Sequence, residues 1–217
     1  MLQKIGNDLS LSEQAYVLIK GAIMNNYMKP MEELSEEMLA AQLGISRTPV
    51  RSAIKKLAFE KLVVLRPGKT TIVADISAQD IMKVFAVRIA LEPLAAQKAA
   101  AVITPSQLEQ LEAVLAAQTE AMRGDDYNLY MMKEYEFHAG IAALAENDLL
   151  YEFVEKVNTQ VQRFHTLSSA LQASSALALM EHEQLLDRFR VKDAAGAGET
   201  MLTHVENVAR RMVQNFK

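Results

Sequence analysis

The chain of 217 residues has four histidines, His138, His165, His182 and His204, and three of them fall on or beside the apolar stripes of different candidate helices. His138 follows Phe137 and precedes Ile141, His182 precedes Leu185 and Leu186, and His204 lies between Met201 and Val208. Glu134 stands four residues before His138, a spacing that sends both side chains from one helix face. One carboxylate and three imidazoles from three helices can meet in a bundle core, where such a donor set suits a divalent ion: zinc, nickel, manganese or iron. Taken singly, a histidine on an apolar face is more often a hydrogen-bonded core residue than a ligand, and spacing alone does not establish convergence. Buried imidazoles bind metal only when neutral, so affinity is expected to fall as pH drops through the histidine range near about 6.5. His165, beside Arg163 and Phe164, is expected to line the bundle or face solvent. Arg88 is a cation in the apolar company of Val84, Phe85, Val87 and Leu91. It can grip a ligand carboxylate with two charge-assisted bonds, or pair with an acidic residue across a bundle.

A second chemistry lies near the N-terminus. Arg47, Thr48, Arg51 and Lys55 cluster on one side of a candidate helix whose other side carries Val50, Ala53, Ile54 and Leu57. From Ile45 to Lys69 there are seven basic residues against one acid, Glu60, in a chain of formal net charge −4. A local positive field on an acidic protein is what a surface that neutralises phosphates requires; the bland alternative is a solvated basic face.

The elements that must hold these groups follow from turn and cap signals. Gly44 suits a tight turn between two helices, Ser46 is placed to cap the next helix with its hydroxyl, and Pro49 falls in that helix's first turn, where no intrahelical bond is lost. Upstream, Ser10 and Glu13 have capping-box spacing for a helix ending near Asn25–Asn26, and a second helix opens at Ser35. Downstream, Leu62–Leu65 and Thr70–Val73 are β-rich runs about Arg66-Pro67-Gly68-Lys69, which reads as a hairpin wing with two cations and a glycine at its tip. After Val73 no strand-like alternation occurs. Helices are expected over 78–101, 105–122, 126–144, 148–171, 175–190 and 194–215, with caps at Ser77 and Thr104, breaks at Gly124 and Asn147, and a kink at Pro93. The fold expected is mainly α: a winged helix-turn-helix over 1–75, then an all-helical antiparallel bundle over 76–217.

Composition agrees. Half the residues are hydrophobic, enough for real cores, and the absence of cysteine excludes disulfides, thiol catalysis and cysteine-based zinc sites. No run approaches the length of a membrane span, so a soluble cytoplasmic protein is expected. Residues 1–75 carry ten basic and eight acidic groups, the remainder thirteen and nineteen, so the two parts differ electrically.

Residues 10–74 resemble the winged-helix domain of GntR-family bacterial transcription regulators through Gly44-Ile45-Ser46-Arg47-Thr48-Pro49-Val50-Arg51, Leu34-Ser35-Glu36 with Leu39-Ala40, and the wing glycine Gly68. The resemblance implies that Ser46, Arg47, Thr48 and Arg51 contact an operator with Gly68 at the wing, where Lys69 would meet a phosphate. Glu37 stands where many members have arginine, which removes a common base contact. Residues 78–215 look like the FCD ligand-binding domain of the FadR-like branch, through Val87-Arg88, Leu91-Glu92-Pro93-Leu94-Ala95-Ala96, Phe137-His138, Glu181-His182, Asp193-Ala194 and His204. In metal-binding members the ligands fall at the positions of Glu134, His138, His182 and His204, here with glutamate in place of the usual aspartate and Ala86 where glutamate is frequent. The implied protein is a homodimeric, non-enzymatic regulator. It binds a palindromic double-stranded operator under control of a small organic acid, with Arg88 on the acid. A metal sensor without organic ligand is one rival reading. A metal-dependent hydrolase is another, although Glu134 as a ligand would not be free to act as its base.

Overall fold

The computed structural model describes residues 9–167 and 171–215, which divide into two compact units, Met1–Ile76 and Ser77–Lys217. In the first unit, α1 (Leu11–Met24) starts at Ser10, whose hydroxyl accepts from the Glu13 amide. The Glu13 carboxylate pairs with Lys56 on α3. Then come β1 (Glu33–Leu34), α2 (Glu36–Leu43), α3 (Arg47–Phe59), β2 (Val63–Val64) and β3 (Thr71–Val73). Gly44 ends α2 with φ +66°, the left-handed conformation that glycine adopts without steric penalty. The apolar stripe of α3 is buried as expected, Val50, Ala53, Ile54 and Leu57 packing with Ala15, Ile19 and Ile23 of α1.

Two local expectations fail here. Ser46 occupies the N-cap position of α3 in extended conformation, but its side chain makes no cap bond. The amide it would accept from lies three residues on, at Pro49, which has no N–H. The wing pairs β2 with β3 (Val63↔Val73, Val64↔Ile72) and is shorter than the two β-rich runs, while β1 adds a strand on the other side of β3 (Glu33↔Ile72, Leu34↔Thr71). A two-residue strand has too little alternation to be read from sequence.

The second unit is a helical bundle of α4 (Ala78–Val102), α5 (Pro105–Arg123), α6 (Tyr127–Leu144), α7 (Asp148–Leu167), α8 (Leu171–Arg190) and α9 (Ala194–Asn215). Complete capping boxes open α4 (Ser77 with Asp80) and α5 (Thr104 with Gln107). Helix α4 runs uninterrupted through Pro93, so the expected kink does not break it. Helix α8 is already present at Leu171, four residues before its expected start, and the part of the preceding expected helix that covers 168–170 lies outside the described residues. Against α4 pack α9, α6 and α7, with α5 on α6 and α8, and α8 on α9. Ala95, Ala142 and Ala145 keep α4 and α6 close, and α9 passes the Pro93 carbonyl at Gly198, where an added Cβ would make an ordinary contact at 3.4 Å. Among the described residues no helix is long and apolar enough to cross a membrane.

Candidate functional site

The histidine cluster converges. Glu134 and His138 come from α6, His182 from α8 and His204 from α9, all buried, and each offers a ligand atom within 4.8 Å of the others. His138 Nε2 lies 3.3 Å from Glu134 Oε1, and the Nε2 atoms of His182 and His204 lie 3.3 Å apart.

What surrounds the cluster decides which nitrogen each ring offers. His204 Nδ1 is 2.8 Å from Glu181 Oε2, an atom that can only accept, so Nδ1 carries the hydrogen and Nε2 is bare. Gln118 on α5 donates through Nε2 to Glu134 Oε2 at 2.6 Å, which turns its Oε1 toward His182 Nδ1 at 3.2 Å. His182 is thereby assigned the same tautomer by its network. Two bare lone pairs therefore face each other at 3.3 Å, a repulsive contact unless a cation lies against both. That separation is close to the edge of a tetrahedron with metal–nitrogen bonds of about 2.0 Å, roughly 3.3 Å. His138 Nδ1 lies 2.8 Å from Glu92 Oε2, although neither of its nitrogens has a directed hydrogen bond, so the contact is one of charge. The residues present fit a divalent ion.

Charge in the cluster is uneven. Burial pushes the His138 imidazolium down, but the Glu92 and Glu134 carboxylates outweigh it and raise the pKa to about 9. Burial lowers His182 and His204, which stay neutral. Glu134 is opposed by burial yet held well below the usual carboxylate range by the imidazoles around it, of which His138 carries the charge. Burial likewise opposes ionisation of Glu92, where Arg88 and His138 prevail, and of Glu181, which Arg211 and His204 hold at about 2. His165 is buried, not on the surface, and desolvation lowers it to about 4.

Arg88 does pair with an acid, but along its own helix: Nε and Nη2 engage Glu92, the latter at 3.0 Å. Its Nη1 is buried without a partner and Arg88 lines a small cavity beside Glu134 and His138. Glu92, Gln118 and Glu181 escaped the sequence reading as functional groups. Glu92 carried a signal, four residues after Arg88, and Glu181 adjoins His182, but nothing in the sequence brings Gln118 to Glu134.

In the first unit, Ser46, Arg47, Thr48 and Arg51 are all exposed on α3. Arg51 donates to the Glu36 carboxylate through Nε at 3.0 Å and Nη2 at 2.7 Å, and Arg47 lies 3.8 Å from it. Both arginines thus rest on one half-buried carboxylate while remaining exposed themselves, a solvent-screened contact that a phosphate or base edge can replace. Gly68 turns the wing tip at φ +69° and Lys69 beside it is exposed. Arg66, expected as a tip cation, is drawn inward to the Thr70 carbonyl and Glu33. Arg47, Gly68, Lys69, Glu36 and Glu37 border an open cleft of about 460 Å³ between α3 and the wing.

The family description "Bacterial regulatory proteins, gntR family" matches residues 11–73, and that of the FCD domain matches residues 83–207. The HTH-type transcriptional repressor RspR of Escherichia coli K12 is 26% identical over 204 residues, covering 94% of this chain and 90% of that protein. An HTH-type regulator from the TAR-I region of Agrobacterium vitis is 36% identical over 135 residues, 60% of this chain and 78% of its own length. Among solved structures, Escherichia coli McbR/YncC superposes with TM-score 0.79 at 21% identity, covering 95% of this chain and 99% of that one. A GntR regulator from Rhodococcus sp. RHA1 gives TM-score 0.83 at 19% identity, covering 96% and 100%.

Proposed function

The chain belongs to the GntR family of transcription regulators and carries an FCD domain, and from that premise we propose that its operator binding is controlled by a small organic acid held at a divalent metal in the helical unit. The observation that supports this most is the pair of bare Nε2 atoms of His182 and His204 facing each other at 3.3 Å beside His138 and Glu134. Those four residues would hold the ion, which when bound supplies a Lewis-acidic site for a carboxylate. Glu92, Gln118 and Glu181 aim the ligands, and Arg88 presents its spare Nη1 to the acid.

On the DNA side, the α3 face of Ser46, Arg47, Thr48 and Arg51 reads base edges and phosphates, and Gly68 with Lys69 brings the wing to the backbone. Two copies of the chain would place two reading helices on a two-fold symmetric operator. The acid acts by binding the DNA-competent and DNA-incompetent forms unequally.

Elemental analysis of protein purified without chelator tests the metal site. The expected result is one divalent ion per chain, lost in His182→Ala and His204→Ala. Full metal content in both variants, or a wild-type protein that cannot be loaded, would remove the reading.

A further inference from the structure

In the first unit, the start of α2 sets the Glu36 carboxylate against the basic face of α3. Arg51 meets it side-on: Nε donates to both carboxylate oxygens at 3.0 Å and Nη2 donates to one of them at 2.7 Å. Arg47 stands further off, its Nη2 3.8 Å from the same carboxylate. The bonds from Arg51 hold the Glu36 carboxyl below the usual carboxylate range, so it is charged at neutral pH.

A guanidinium has two edges that grip a pair of acceptors: the side edge of Nε with Nη2, and the end edge of Nη1 with the second Nη2 hydrogen. Glu36 fills the side edge of Arg51, and among the described residues the end edge has no partner, on a side chain that is 54% exposed. Two kinds of acceptor pair on DNA fit it. Phosphate oxygens are charged, whereas guanine O6 and N7 are neutral. A carboxylate on the same guanidinium repels the first pair and tolerates the second. A phosphate reaches the side edge only by displacing Glu36, while a guanine is gripped by the end edge with Glu36 in place and the fork already oriented.

We infer that Glu36 is a positioning residue for sequence reading: it makes Arg51 a reader of guanine where an arginine without it would clamp any phosphate. This rests on the DNA-reading role of the α3 face and adds to it how that face tells its operator from other DNA. Specificity here comes from a repulsive element set beside an attractive one. The ion pair is exposed and contributes little to stability, so its effect lies in which acceptor wins.

The test is fluorescence anisotropy of the full chain on two duplexes, one that the wild type selects from a random pool and one of unrelated sequence, over a series of salt concentrations. Glu36→Gln keeps the shape of the side chain and removes its charge, and circular dichroism checks its fold. It is expected to lower the ratio of selected to unrelated affinity about tenfold, mainly by tightening the unrelated duplex, whose salt slope steepens by about 0.9 as one more phosphate is neutralised. In Arg51→Lys, whose ammonium has no second edge to offer, adding Glu36→Gln should move that ratio by less than about twofold. Both affinities raised alike would make Glu36 a local charge and nothing more, and both lowered alike would make it a packing residue. The same tenfold loss in the Arg51→Lys background would show that it does not act through Arg51. Each of these outcomes overturns the inference. A wild type that selects no duplex from the pool would instead overturn the DNA reading beneath it.

Discussion

Gln118 carries no charge, yet it touches two of the four candidate ligands, donating to Glu134 and accepting from His182. Outer partners of this kind set ligand orientation, and their loss typically costs about 10–100-fold in metal affinity. Gln118→Leu is therefore expected to weaken zinc binding by that order in a competition titration with the helical content unchanged; unaltered affinity would make Gln118 a packing residue. The titration of His138 gives a second prediction. Without metal it is protonated up to about 9, so metal uptake at neutral pH displaces one proton, and apparent affinity rises with pH until about 9, beyond the range near 6.5 expected from the sequence. The sign for stability is opposite. A raised histidine pKa stabilises the metal-free fold fully below the unfolded value near 6.5, and that contribution is lost as pH rises through about 9. Chemical denaturation of stripped protein across this window checks it, and a stability that rises from pH 6.5 to 9 would contradict it. The four clustered residues themselves were legible because glutamate and histidine at helical spacing on apolar faces are unusual. The shell around them was not, because a buried glutamine resembles a surface one until the helices are packed.

At the scale of elements, α3 combines two features that the sequence placed side by side without showing that they conflict. Pro49 favours the first helical turn but removes the amide that Ser46 would cap. Removing a working serine cap usually costs about 0.5–2 kcal/mol. Ser46→Ala is expected to leave thermal stability of the N-terminal unit nearly unchanged while lowering affinity for operator DNA, since its hydroxyl is free to meet a phosphate. A clear loss of stability would show a cap bond after all. Arg47→Ala and Arg51→Ala should abolish specific operator binding with the fold intact, whereas Lys69→Ala should weaken all duplexes alike and reduce the salt slope by about 0.9. Most helices were legible from caps and periodicity, down to the boxes at Ser77 and Thr104. Strand β1 was not, since its identity comes from pairing with β3 and not from its own two residues. The N-terminus of α8 was misplaced because the alanine- and serine-rich stretch after Leu171 has neither proline nor glycine to mark where it starts.

At the scale of the whole molecule, an exposed basic helix face and a buried donor cluster occupy separate units of one chain. Sequence pattern and family resemblance both pointed to this division of labour, because each unit carries its own motif; the coupling between them has no motif to read. The measurement that bears most directly on the account is operator affinity, by fluorescence anisotropy, on a duplex that the full chain itself selects from a random pool. It is taken with metal-loaded and with chelator-stripped protein, each with and without a panel of small carboxylates. The account predicts that at least one carboxylate changes operator affinity by about 5–150-fold, the usual span of allosteric coupling, and only when metal is loaded. The same change in stripped protein, or no change with any carboxylate in loaded protein, would contradict it.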